Sequence, residues 1–323
     1  MLVAAMVLTV LPIATVEAAV RPTRRILKQD VYGHMLPDSF YFYRNNLDET
    51  EKVLYDQIYA NAYDADKYFE IATQVHYSKA VDILQAVRYD NPDLFWLFPY
   101  VNYTYDKNGY ITSITLTFYD DAVENLDAYK ETFYNYADSV LEVAMELDND
   151  VEKVKFVHDF LCHSNVYIDV DHFDQDTMNQ SAYSAIVKGK TLCAGYSTAF
   201  QYYMQRLGIL CGIIYGYRNS TTHFWNFVKL DDEYYAIDVT LDDPIGNPPN
   251  TYYYNYFNIT DSTMSLDHSR HERSSTMPIA YGKKYSYPNY FGSRPGSDFN
   301  GINYGTPKSK LPNTYIVVPD ITY

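Results

Sequence analysis

Two strand-like runs, residues 222–230 and 234–240, flank a short polar segment that contains residues 231–232. Both runs are rich in β-branched and aromatic residues, and such runs on either side of a polar turn are typical of a β-hairpin. A two-residue loop sets Leu230 opposite Glu233 and thereby fixes the register of the whole pair. This hairpin limits how the chain can fold more than any other feature of the sequence.

The predicted register brings a histidine and an aspartate together. Trp225 opposes Asp238 and His223 opposes Thr240, so His223 and Asp238 become diagonal neighbours on one face of the sheet. Their Cβ atoms are then roughly 7 Å apart, which allows the carboxylate to reach the imidazole. A three-residue loop would instead turn the two side chains to opposite faces.

Upstream of the hairpin, Cys193 lies at the start of a predicted helix. Residues 195–207 place their large apolar side chains on one stripe, and Gly208 follows as a C-cap. Cys193 therefore falls at the helix N-terminus, where the positive end of the macrodipole favours a thiolate over a thiol. Because the thiolate is the attacking species, this is a suitable position for a nucleophile.

Cys193, His223 and Asp238 form a candidate catalytic triad. The imidazole can take the thiol proton and later return it to the leaving group, and the carboxylate can fix the tautomer and stabilise the imidazolium. The chain order of cysteine, histidine and aspartate is the papain-like order. Taken singly, each residue would more often be structural, since cysteines are commonly buried and a histidine beside a tryptophan is often a core residue.

The sequence around these residues resembles the transglutaminase-like superfamily of cysteine acyltransferases and hydrolases, in a secreted bacterial form. The resemblance runs in order through a helix ending at residues 156–161, the segment 181–196, a His-x-Trp-Asn motif at 223–226, and the segment 238–244.

The resemblance implies specific roles for residues at the matching positions. Cys193, His223 and Asp238 take the places of the nucleophile, the base and the orienting acid. The supporting motif positions are Gly195, Tyr196, Trp225 and Asn226. The implied fold is α+β and papain-like, with the helix that carries the cysteine packed on an antiparallel sheet.

We predict four segments along the chain. They are a signal peptide at 1–19, an N-terminal α+β region at 20–145, a transglutaminase-like catalytic core at 146–275, and a C-terminal extension rich in Tyr, Pro and Gly at 276–323. Within the N-terminal region we expect helices near 48–64 and 76–88, a hairpin with strands 94–105 and 110–118, and a long helix at 121–147.

Charge and the apolar N-terminus indicate the compartment and exclude some partners. The net charge is −16, from 25 Lys plus Arg against 41 Asp plus Glu, so nucleic acid and anionic membrane surfaces are unsuitable partners. Residues 2–15 are almost wholly apolar and small residues follow at 18–19, as in a signal peptide with its cleavage site. We therefore expect a secreted or extracellular protein, alternatively one held at the cell surface, with no membrane span.

The other cysteines and histidines indicate neither a metal site nor a cofactor. Cys162 and Cys211 can form a disulfide that leaves Cys193 free, and two buried thiols are the favoured alternative. The remaining histidines lack metal-ligand spacing, and we expect them to be solvated or packed on helices; they are His34, His76, His158, His163, His172, His268 and His271.

Three functions fit these observations. The first is transglutaminase-type acyl transfer from a protein or peptide carboxamide through an acyl-thiol at Cys193. The second is a cysteine peptidase or amidase with the same triad, since only the group that attacks the acyl-enzyme differs. The third is a non-catalytic extracellular binding module. In either enzyme the backbone N–H of Cys193 is a natural oxyanion donor, with the side chains of Gln180 and Tyr183 as further candidates.

Overall fold

A computed structural model describes residues 36–168, 178–243, 251–292 and 306–307. The predicted signal peptide and most of the predicted C-terminal extension lie outside these residues. Within them, helices alternate with sheets that are antiparallel except for the short β4–β5 pair, which confirms the predicted α+β class.

The helices are α1 (Phe42–Asn45), α2 (Glu49–Tyr63), α3 (Ala80–Asp90), α4 (Asp120–Glu124), α5 (Leu126–Met145), α6 (Asp150–Ser164), α7 (Cys193–Arg206), α8 (Val239–Asp242), α9 (Asp261–Met264) and α10 (Tyr287–Tyr290). The strands are β1 (Tyr68–Glu70), β2 (Leu97–Tyr105), β3 (Ile111–Phe118), β4 (Val166–Tyr167), β5 (Lys190–Thr191), β6 (Cys211–Arg218), β7 (Thr221–Leu230), β8 (Glu233–Ile237), β9 (Thr251–Tyr252), β10 (His268–Arg270) and β11 (Thr306–Pro307).

The N-terminal region contains a sheet of order β1-β3-β2, with α3 packed against β2 and α2 packed against α3. The start of α2 is fixed by a capping box, in which the Asp48 carboxylate accepts from the backbone of Glu51 and the Glu51 side chain accepts from the backbone of Asp48. The β2–β3 turn needs Gly109, which has φ of +85°. These elements confirm the predicted helices and hairpin.

One local prediction for this region was wrong. The expected single helix at 121–147 is divided into α4 and α5 at Asn125, whose φ of −130° and ψ of 38° are not helical. Asparagine readily leaves helical geometry because its amide competes for backbone hydrogen bonds. Before α1, residues 38–40 form a 3-10 turn that buries Phe40.

The second sheet has the order β10-β6-β7-β8, and α7 packs against β6 and β7. The hairpin of β7 and β8 has the predicted two-residue turn, with Leu230 opposite Glu233 and Asn226 opposite Ile237. The predicted pairs beyond this point do not form, because β8 ends at Ile237. Asp238 instead becomes the N-cap of α8, where its side chain accepts from the backbone of Leu241.

The N-terminal region and the cysteine-containing region share one core. The Tyr43 hydroxyl donates to the Ile213 carbonyl on β6 (2.9 Å) and lies 2.7 Å from Ser274 Oγ. Gln205 of α7 donates to the Asp90 carbonyl at the end of α3 (3.0 Å). The described residues from Leu36 onward belong to a single compact unit, so parts of the sequence on either side of the predicted boundary near residue 145 pack together. Within the residues described, no helix is both long and apolar enough to span a membrane.

The Tyr43 hydroxyl should measurably stabilise this shared core. We expect Tyr43→Phe to lower the free energy of unfolding by about 1–2 kcal/mol, because the buried Ile213 carbonyl loses its donor. Urea unfolding measures the change, with Tyr68→Phe as the control because Tyr68 is 60% exposed. Equal stability of the two variants would contradict the shared hydrogen bond.

Candidate active site

Cys193 is the first residue of α7, as predicted, and its side chain is half-buried. The chain reaches it through β5, which pairs in parallel with β4, and through Leu192 in an extended conformation. Thr191 Oγ1 lies 2.6 Å from Ser184 Oγ and donates to the Asn179 carbonyl (2.9 Å). The segment in front of the cysteine is therefore fixed by hydrogen bonds, and the backbone N–H of Cys193 lies in the first helical turn, where it has no intrahelical partner.

Gly195 allows α7 to approach this segment closely. A Cβ at Gly195 would collide with Thr191 Oγ1 and would lie 2.9 Å from Ser184 Oγ. Any larger residue would push the first turn of α7, and Cys193 with it, away from β5.

The other three motif positions hold α7 to its surroundings. The hydroxyl of buried Tyr196 donates to Asp243 Oδ2 (3.0 Å), and Asn226 Nδ2 donates to the Ser197 carbonyl on α7 (3.0 Å). Trp225 is buried with its ring stacked at 6.3 Å from the ring of His223. These residues position the cysteine helix and the histidine strand relative to one another.

Cys193, His223 and Asp238 meet in one place. His223 Nε2 lies 2.6 Å from Asp238 Oδ2, and the Cys193 side chain is near enough to the same imidazole to raise its pKa. Since Nε2 faces the carboxylate, Nδ1 is the ring nitrogen left for the thiol. The imidazole therefore lies between a nucleophile and an orienting acid, which is the geometry needed for proton transfer from the thiol.

The electrostatics of this pair favour a charged imidazole. Burial opposes the imidazolium, but the Asp238 carboxylate and the hydrogen bonds to Asp238 and Cys193 outweigh it and raise the pKa of His223 from 6.5 to about 10. Burial likewise opposes ionised Asp238, but the nearby charge and hydrogen bonds of His223 and His268 lower its pKa below the ordinary value. The imidazole beside this carboxylate is therefore a strong acceptor for a proton.

A second histidine reaches the same carboxylate. His268 on β10 is buried, and its Nε2 lies 3.2 Å from Asp238 Oδ2. The Asp238 carboxylate therefore faces three donors, since its other oxygen accepts from the backbone of Leu241 (3.2 Å). His268 is neither solvated nor packed on a helix, so the prediction for this residue was wrong.

His158 belongs to a comparable buried cluster at the other end of α8. Its Nδ1 lies 3.0 Å from Asp159 Oδ1 and its Nε2 lies 3.1 Å from Asp242 Oδ2. Burial opposes the charged ring, but the hydrogen bonds to the two carboxylates raise the pKa of His158. The sequence did contain a signal for the burial of His158, because its neighbours Val157 and Leu161 in α6 are apolar and buried.

Cys162, Cys211, His76, His271 and Tyr183 have structural surroundings, whereas His34 and His172 lie outside the described residues. Cys162 and Cys211 are buried thiols rather than a disulfide, as favoured from the sequence. His76 and His271 cap short 3-10 turns. Tyr183 packs among aromatic rings, with its ring 5.0 Å from that of Phe95. Its packing fits a core role better than that of an oxyanion donor.

His223, Asp238 and His268 are close enough to one another to resemble a metal site. One ligand atom each from His223, Asp238 and His268 lies within 4.8 Å of the other two. The carboxylate oxygen is 2.6 and 3.2 Å from the two imidazole nitrogens, whereas ligands at about 2.1 Å from a tetrahedral zinc ion lie about 3.4 Å from one another. The arrangement fits shared protons better than a shared metal ion.

Comparison with known proteins identifies the family of this region. Residues 138–239 match the family model described as the transglutaminase-like superfamily. The resemblance drawn from the motifs is therefore confirmed, and these residues form a transglutaminase-like domain. No curated protein gave a match to the chain.

Two solved structures are similar to the chain. A TGase is 19% identical, over 56% of this chain and 52% of that chain, with a TM-score of 0.32. The chain thus spans about half the length of that protein. A chain named as a cysteine protease from Cytophaga hutchinsonii is 12% identical, over 59% of this chain and 68% of that chain, with a TM-score of 0.29.

The raised pKa of His223 predicts a pH-dependent contribution to stability. The folded protein holds this proton more tightly than the unfolded chain, so the stabilisation is complete below pH 6.5 and is lost as the pH rises to about 10. We expect His223→Gln to destabilise the protein most at the lower pH and least at the higher. Urea unfolding across this range measures the difference. Exposed His76→Gln is the control, and a pH-independent loss in His223→Gln would contradict the prediction.

Proposed function

We propose that the transglutaminase-like domain at residues 138–239 is the catalytic part of a cysteine acyltransferase that acts on carboxamide groups of proteins or peptides. The observation that supports this most strongly is the position of the His223 imidazole, which is near enough to Cys193 for that side chain to raise its pKa and lies 2.6 Å from Asp238. A base between a nucleophile and an orienting acid is the arrangement that acyl transfer through a thioester requires.

The first half-reaction forms an acyl-enzyme. The proton of Cys193 passes to His223, and the thiolate sulfur attacks the carboxamide carbon. The carbonyl electron pair moves to oxygen, where the backbone N–H of Cys193 is suitably placed as a donor at the start of α7. Return of the electron pair expels the amide nitrogen, which takes the proton from His223 and leaves as ammonia. The product is a thioester at Cys193.

The second half-reaction distinguishes a transglutaminase from an amidase or peptidase. His223 takes a proton from the incoming nucleophile, the nucleophile attacks the thioester carbon, and the sulfur leaves and is reprotonated. A substrate amine gives an isopeptide bond and a transglutaminase, whereas water gives a carboxylate and an amidase or peptidase. We favour the amine on the family resemblance, and the peptidase is the alternative.

Two assays on matched variants test the proposal. We expect the wild-type protein to incorporate a labelled primary amine into a glutamine-rich protein, and Cys193→Ala to reduce this by about 10³-fold or more, because the nucleophile is removed. Cys211→Ala is the matched control, since that thiol is buried and lies outside the proposed site.

Release of peptide fragments from the same protein is measured in parallel. If the wild-type protein releases fragments without incorporating the amine, and Cys193→Ala releases none, the peptidase is supported instead. Equal signals from wild type and Cys193→Ala in both assays would contradict an enzymatic function and leave the binding module.

We also propose that the protein acts outside the cell. Support comes from the apolar run at residues 2–15 and the small residues that follow it. Expression in a secreting bacterial host should yield a chain in the medium that begins near Val20, as measured by intact mass. A full-length chain retained in the cytoplasm would contradict export.

A further inference from the structure

A row of alternating acid and imidazole groups extends beyond the triad. Behind Asp238, His268 Nε2 lies 3.2 Å from the carboxylate, and His268 Nδ1 lies 2.6 Å from Asp267 Oδ1. The His268 side chain is only 1% exposed. Its ring lies 5.4 Å from the ring of His223 and 4.9 Å from that of Trp225, between centroids.

Both ring nitrogens of His268 face carboxylates. Burial opposes the ionised form of Asp267, but the hydrogen bond from Tyr256 and the charge of His268 lower its pKa, and the pKa of Asp238 is lowered as well. Ionised carboxylates only accept hydrogen bonds. A carboxylate oxygen lies at each ring nitrogen of His268, so both contacts are hydrogen bonds only when each nitrogen carries a proton.

We propose that His268 is a positioning residue for the reaction, which holds the Asp238 carboxylate in place for His223 and offsets part of its negative charge. The inference rests on the proposed function of Cys193 and His223. Its physical basis is that Asp238 Oδ2 is shared by the two histidines. Without His268, this oxygen loses a charged donor, and the carboxylate can rotate away from the direction that orients His223.

The groups that face His268 come from several elements. Asp238 and His223 belong to the triad, and Asp267 precedes His268 in the chain. Asp267 Oδ2 in turn accepts from the Tyr256 hydroxyl (2.8 Å) and from Arg218 Nε on β6 (3.3 Å). His268 itself is held by Asp267 and by pairing of β10 with β6, so its ring has a fixed position from which to act on Asp238.

Two substitutions separate the effect of the charge of His268 from the effect of its hydrogen bond to Asp238. His268→Gln can keep a donor to Asp238 but removes the positive charge, whereas His268→Ala removes both. Loss of a nearby cation stabilises the protonated forms of neighbouring groups, so the pH dependence of the site should move to higher pH in His268→Gln. A residue that only supported the fold would leave this pH dependence in place.

The experiment measures the reactivity of Cys193 without a substrate. Iodoacetamide modification is followed by mass spectrometry as a function of pH, and Cys193→Ala identifies the signal of this thiol. In the wild type we expect rapid modification at about pH 7, where an ordinary thiol with a pKa of about 8.5 is mostly protonated. We expect His268→Ala to be modified about tenfold more slowly. His268→Gln should recover most of the rate, with its pH profile moved upward.

The matched control is His271→Gln, three residues further along the chain. His271 caps a 3-10 turn, and its substitution should leave both the rate and the pH profile unchanged. Circular dichroism and thermal melting verify that each variant is folded. If His268→Ala does not fold, the pH profile of His268→Gln alone tests the positioning role.

The outcomes separate this inference from the proposed function. Rapid modification of wild-type Cys193 with unchanged rates and profiles in both His268 variants would overturn the positioning role and leave the proposed function standing. Wild-type Cys193 that reacts no faster than an ordinary thiol would overturn both. Slow His268→Ala together with a shifted profile in His268→Gln would support the role of His268.

Discussion

A buried carboxylate must be paired, and Asp238 is the group on which the rest of this site depends. Removing an ionised carboxylate from water costs several kcal/mol unless donors surround it. Asp238 is 1% exposed and contacts His223, His268 and the backbone of Leu241. Each partner arrives from a different part of the chain. The requirement to pair this charge therefore brings β7, β10 and the start of α8 together.

Paired carboxylates also hold the single turn of α8 in place. Its acidic residues make long-range contacts on several sides, with Asp238 toward β7 and β10, Asp242 toward His158 on α6, and Asp243 toward Tyr196 on α7. The helix that carries Cys193 is thus tied to the segment that orients its base. Displacement of α8 would disturb the nucleophile and the base together.

The sequence predicted those parts of the site that depend on local rules. A two-residue turn determined the register of β7 and β8, and helix periodicity with a glycine C-cap placed Cys193 at the start of α7. His158 and His268 were missed because their partners Asp242 and Asp238 are 84 and 30 residues away. No periodicity connects such positions, and only the packed arrangement of β10 and α6 brings them together. The break of the long helix at Asn125 was missed because propensity is a weak signal at one residue.

The core shared by the two regions extends beyond the segment that matches the family model. The matched segment ends at residue 239, yet His268 and Ser274 lie beyond it, and Tyr43 precedes it by almost a hundred residues. All three contact groups in or beside the sheet that carries His223. The segment that matches the family model and the compact unit therefore have different boundaries in this protein, and the groups of the candidate site lie within the larger of the two.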